Sequence, residues 1–149
     1  MAADQRMIDT NVLIYSTVSG NPWHANARQW LADLQGAGHR LCVSPQIVRE
    51  FLVVLTRGEV FSQTFTPTEA LNTFAALRPS LVILRETEEA FERLLSLVEQ
   101  YDVKGKVIHD AQVVATMLAN GVTHLATYNR SDFTRYTEIT LESPPSPAP

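Results

Sequence analysis

Apolar positions along the chain take two alternating forms, short unbroken runs and longer stretches where they recur every three or four residues. Arg6-Met7-Ile8 ends a first short strand, and Val12-Leu13-Ile14-Tyr15 begins a helix or turn lying on the sheet. Between them the polarity changes abruptly at Asp9-Thr10-Asn11. Over residues 24–34, Ala27, Trp30, Leu31 and Leu34 share one helical face, and Gly36 and Gly38 close it. Residues 41–43 form a second strand. Ser44-Pro45 then supplies a capping oxygen and a pre-set first helical residue for a helix that reaches Arg57 and stops at Gly58.

The second half repeats the alternation. Thr66-Pro67-Thr68-Glu69 carries a capping box for a helix with Leu71, Phe74 and Leu77, ended by Pro79. Residues 81–84 are a continuous apolar run of the kind buried on both faces of a parallel sheet, and Thr87 opens a helix with Phe91, Leu94, Leu95 and Val98 facing inward. A further helix begins near His109 and stops at Asn120-Gly121, followed by strands over residues 122–127 and 139–141. Helices interleaved with short apolar strands predict an α/β domain whose mainly parallel sheet is covered by helices on both faces. Ligands in such sheets bind beyond the carboxyl ends of the strands.

Composition narrows the class. The 149 residues suit one domain, with no internal repeat, and 45% hydrophobic with 19% charged residues describes an ordinary globular chain. The domain is expected over residues 1–142, with a loose proline-rich tail over 143–149. Cys42, the only cysteine, lies in an apolar strand, so a buried thiol in a reducing compartment is expected and no internal disulfide can form. Residues 1–7 lack the pattern of a signal peptide and no apolar run approaches a membrane span, which together give a cytoplasmic expectation. A net charge of −4 offers no general attraction for nucleic acid, so any such role must come from a local site.

Three carboxylates stand out by position. Asp9 follows the first strand directly, with Thr10 and Asn11 able to orient it, although an aspartate there can equally be a helix cap. Glu50 lies between Ile47 and Val54 on an apolar helical face, where a charge needs compensation by Arg49, Arg57 or another cation. Asp110 sits among Val107, Val113, Val114 and Met117 near a helix start, again a possible cap. If the three converge, their mutual repulsion calls for a divalent cation, and hard oxygen donors suit Mg²⁺ or Mn²⁺. His24, His39, His109 and His124 show no metal-ligand spacing.

These segments, taken in order, resemble the PIN-domain nucleases, and within them the ribonuclease toxins of VapC-type toxin–antitoxin pairs. The likeness spans most of the chain and rests on residues 7–15 (MIDTNVLIY), 44–51 (SPQIVREF), 109–111 (HDA) and 127–133 (TYNRSDF). It implies a three-layer α/β/α fold with a parallel sheet of about five strands. It also implies a metal-dependent ribonuclease in which Asp9 and Asp110 are direct ligands of Mg²⁺ or Mn²⁺, with Glu50 and Asp132 acting through water. A fourth site position falls on Asp132 or Asn129, which spacing does not separate. The implied partners are an RNA substrate, a cognate antitoxin and a second copy of the chain.

Arg49, Lys104, Lys106, Arg130 and Arg135 flank these segments as candidates for tracking RNA phosphates, against the alternative of solvated surface charge. Trp30 belongs to a core-facing stripe, whereas Trp23 stays open as a base-stacking platform. Phe51, Leu52 and Leu55 are read first as core and second as part of a dimer face or antitoxin groove. A phosphatase using Asp9 as nucleophile is disfavoured because position 11 is Asn. A non-cleaving PIN-fold module that binds RNA or protein, and a PIN nuclease of RNA processing, are the remaining alternatives.

Overall fold

A computed structural model describes residues 4–146. It contains β1 (Gln5–Ile8), α1 (Thr10–Thr17), α2 (His24–Gly36), β2 (Arg40–Val43), α3 (Pro45–Thr56), α4 (Pro67–Leu77), β3 (Leu81–Ile83), α5 (Glu88–Tyr101), α6 (Ile108–Ala119), β4 (His124–Ala126) and β5 (Thr140–Glu142). The capping signals work as expected. The Ser44 hydroxyl accepts from the Ile47 amide and Pro45 opens α3, the Thr66 hydroxyl accepts from the Glu69 amide, and the Thr87 hydroxyl accepts from the Ala90 amide.

The five strands are all parallel and ordered β3-β2-β1-β4-β5. Met7 aligns with Cys42 on one side and Leu125 on the other, so β1 is the central strand. Met7 and Ile8, like Leu41, Cys42 and Val43, are buried in succession. Neighbouring strand residues point to opposite faces, so both faces of the sheet are covered, as in a three-layer α/β/α domain. The chain moves from β1 to β2 on one side and later crosses to β4 on the other. The switch in direction therefore lies at the carboxyl ends of β1 and β4.

Some expected faces differ. The run over residues 81–84 becomes β3, an edge strand, in which Leu81 and Val82 are half-buried and Ile83 is exposed. An apolar run states that a strand packs somewhere, but its place in the sheet is a matter of topology. On α5, Ala90 and Leu97 are buried, whereas Phe91 and Leu95, expected inside, stand in solvent. Leu71 on α4 is likewise exposed. Cys42 is buried without disulfide, and its thiol donates to the Arg6 carbonyl at 3.2 Å. Ser143 to Ser146 hold no helix or strand, although the Pro145 carbonyl accepts from Asn26 at 2.7 Å; the rest of the expected tail lies outside the described residues. No helix among the described residues is long and apolar enough to cross a membrane.

Candidate active site at the carboxyl edge of the sheet

Asp9 emerges where β1 ends, and its backbone amide continues the ladder by donating to the Ala126 carbonyl of β4 at 3.0 Å. Its side chain does two things. One oxygen accepts from the Thr10 amide at 2.8 Å and so caps α1. The other accepts from the Thr127 hydroxyl at 2.7 Å and the Asn11 amide group at 3.2 Å. Asp9 is therefore a helix cap whose second oxygen is held by Thr127 and Asn11. Thr127 follows β4, so the first hydroxyl past one strand clamps the first carboxylate past its neighbour. Asn11 extends the clamp: its carbonyl accepts from the Tyr128 amide at 3.1 Å, fixing the loop after β4.

Glu50 has no ion pair among the described residues. Arg49 reaches instead toward Glu86, at 4.0 Å. Neutral donors hold the Glu50 carboxylate: the Thr10 hydroxyl at 2.8 Å and the Gln46 amide at 2.9 Å. The same Gln46 amide donates to the His109 carbonyl at 2.8 Å, tying α3 to the first turn of α6. Leaving the carboxylate uncompensated by a cation is costly at a half-buried position, and structural ion pairing does not explain it.

Asp110 lies in the first turn of α6 but is not its cap, which is Val107. Asp9, Glu50, Asp110, Asn129 and Asp132 line one cavity of about 420 Å³. Both candidates for the fourth position thus face it, Asn129 at the head of the turn Arg130–Asp132 and Asp132 within it. Asp132 contributes charge: burial pushes the Asp9 carboxyl up, opposed by the Thr127 and Thr10 hydrogen bonds, and the Glu50 and Asp132 charges add to the rise. Asp110 is pushed up to about 6, by burial first and then by Asp132, Asp9 and Glu50, with His109 opposing.

This donor set fits a hard divalent cation in kind, since several carboxylates share one cavity and repel one another. Among the described residues, no three His, Cys, Asp or Glu side chains are gathered closely enough to surround an ion as they stand.

Sequence reasoning missed Gln46, which looks like one more polar residue on a helix, and missed the role of Thr127. Their spacing from Glu50 and their place after a strand were the available signals. The expected cations fare unevenly. Arg49 lines a second groove that continues from the acidic cavity over α3. Lys104 pairs with Asp102 at 3.1 Å, Arg130 donates to the Leu141 carbonyl and the Ser143 hydroxyl, and Arg135 lies 6.0 Å from the centre of the Tyr136 ring. Lys106 is exposed. Among the described residues, Arg57 is the one cation lining the acidic cavity. Phe51 and Leu55 are wholly buried core residues, and Leu52 is half-buried.

A sequence model of the PIN domain matches residues 6–139. Ribonuclease VapC43 of Mycobacterium tuberculosis is 29% identical over 121 residues, 80% of this chain and 82% of that protein. Among solved structures, VapBC2 of Rickettsia felis bound to a promoter DNA fragment superposes with a TM-score of 0.71 at 16% identity, covering 95% of this chain and 99% of that one. The Mycobacterium tuberculosis toxin VapC20, described as cleaving the sarcin-ricin loop, gives a TM-score of 0.68 at 16% identity, covering 94% and 99%. The strand order, the acidic cavity at the sheet edge and the match over residues 6–139 agree: this chain belongs to the PIN domain family.

Proposed function

We propose that this protein is a divalent-metal-dependent endoribonuclease, the toxin of a toxin–antitoxin pair, which hydrolyses RNA phosphodiester bonds in the cavity between β1, α3 and α6. The observation that carries the reading is the convergence of Asp9, Glu50, Asp110 and Asp132 on one cavity, where burial first and then like charge raise the carboxyls of Asp9 and Asp110. A relative named a ribonuclease and a fold neighbour described as a sarcin-ricin loop cleaving toxin support the substrate class. A fold neighbour from Klebsiella pneumoniae solved as a toxin–antitoxin complex supports a cognate antitoxin as partner.

In this reading Asp9 and Asp110 would hold Mg²⁺ or Mn²⁺, assisted by Glu50 and Asp132 through water. When bound, such an ion would supply charge that shields the phosphate and acidifies water. The chain's own residues do the positioning. Thr127, Asn11 and the Thr10 amide fix the Asp9 carboxylate and keep both its oxygens in place. Thr10 and Gln46 hold Glu50 where it can orient the attacking water and take its proton. Asn129 offers a neutral amide to a phosphate oxygen beside Asp132. Hydrolysis then adds water across one P–O bond, in line with the leaving oxygen.

The test is incubation of total cellular RNA with the antitoxin-free chain in Mg²⁺, in Mn²⁺ and in EDTA. Discrete fragments that appear with metal and vanish with EDTA support the proposal. Intact RNA under every condition overturns it and favours a PIN-fold binding module.

A further inference from the structure

The acidic cavity also has an apolar lining that the proposed hydrolysis does not use: Ile14, Tyr15, Val54, Val60 and Phe61. Phe51 and Leu55, on the same helix as Glu50, are wholly buried and close the core, but Tyr15 and Phe61 are only half-buried and their free surface borders the cavity.

The rings are held firmly. Trp23 stacks on Tyr15 with centroids 4.9 Å apart and planes 28° apart, and Tyr128 meets Tyr15 edge-on at 5.1 Å. Trp23, the aromatic that the sequence left open for base stacking, packs against Tyr15, is exposed, and does not line the cavity. Phe61 lies 6.0 Å from Tyr15 at 58°, with no other ring against it among the described residues. Its backbone is fixed in an unusual shape. Phe61 and Ser62 have φ of 47° and 64°, in the left-handed region disfavoured for such side chains. The turn is clasped by reciprocal Val60–Gln63 backbone bonds of 2.8 and 3.0 Å and by Gln63 donating to the Ser19 carbonyl at 2.7 Å. A large apolar ring is thus kept half-exposed within such a turn, bordering the acidic cavity.

We propose that Tyr15 and Phe61 form a nucleobase subsite that stacks on the base of a nucleotide flanking the scissile phosphodiester. The inference rests on the ribonuclease reading and deepens it: the substrate is single-stranded or looped RNA whose flanking base can leave its own stack. Arg57 lines the same cavity and supplies the positive charge next to the base that an adjoining phosphate requires.

The experiment uses an oligonucleotide spanning a cleavage position mapped in cellular RNA, with each flanking nucleotide in turn replaced by an abasic residue. Expected is a loss of about tenfold or more in kcat/KM at one flank. In F61A that same abasic replacement should change kcat/KM by less than about threefold, while F61Y restores the wild-type sensitivity. If wild type cleaves both abasic oligonucleotides as well as the parent, the subsite is overturned and the ribonuclease reading stands; the aromatic wall then serves a protein segment or packing. If no RNA is cleaved, both fail together. If F61A does not fold, F61L, which keeps an apolar side chain in the turn without an aromatic face, is measured in its place, and full abasic sensitivity in a folded F61L overturns the assignment to this ring.

Discussion

Asp110→Asn should make the metal-free protein more stable while disabling its site. The folded structure pushes the Asp110 carboxyl up to about 6 from an ordinary 3.8, by burial and by the charges of Asp132, Asp9 and Glu50. A rise of about two pH units corresponds to about 3 kcal/mol in a shielded setting. Asp110 is half-buried, and solvent screening reduces this to about 1 to 1.5 kcal/mol. Because the folded value lies above the unfolded one, the stability this group allows is fully present below about pH 4. It is lost as pH rises through about 6. Asparagine removes the titration, so the variant's advantage should open between pH 4 and 6 and stay level above. In a domain of this size that is roughly 2–6 °C in melting temperature. Thermal unfolding in EDTA at pH 4, 6 and 8 measures it, and added Mg²⁺ should narrow the gap by stabilising the wild type alone. A variant less stable than wild type at pH 8 in EDTA, or an offset equal at pH 4 and pH 8, would refute the argument that repulsion and burial act on Asp110.

Gln46→Ala removes the donor shared by Glu50 and the His109 carbonyl. It should cost about 2 kcal/mol in urea unfolding and lower kcat for RNA cleavage roughly ten- to a hundredfold with little change in KM. An unaltered kcat would remove Gln46 from the support of Glu50. Thr127→Val keeps the shape but deletes the 2.7 Å hydrogen bond to Asp9. The Asp9 carboxyl should rise further, and calorimetric Mg²⁺ affinity should fall about tenfold with the circular dichroism spectrum preserved; equal affinity would contradict the clamp.

The parts of the fold legible in the sequence were those written in local physics. Ser44-Pro45, Thr66-Pro67 and Thr87 begin helices because their side-chain oxygens satisfy amides that any helix start leaves free. The apolar run at Leu41-Cys42-Val43 is a strand because both its faces are covered. What could not be read was which covering each element receives. Phe91 and Leu95 lie on the broad apolar stripe of α5, but α6 covers only part of that stripe, and the edge position of β3 depends on crossings many residues away. The site followed the same division. Asp9, Glu50 and Asp110 were visible because each is a charge at the start or on the apolar face of an element. The resemblance added Asn129 and Asp132, and all five line one cavity. Gln46 and Thr127 were opaque because their importance lies in bonds that span 63 and 118 residues of chain.

The central claim, that Asp9 and Asp110 act in one metal-dependent RNA-cleaving site, is tested most directly by Mg²⁺-dependent cleavage of total RNA with D9N, D110N and the double variant beside wild type. The account predicts that each single change abolishes the discrete fragments, that the double variant is no worse than either, and that all three remain folded. Fragments that persist at the wild-type rate in a folded D9N or D110N protein would contradict it.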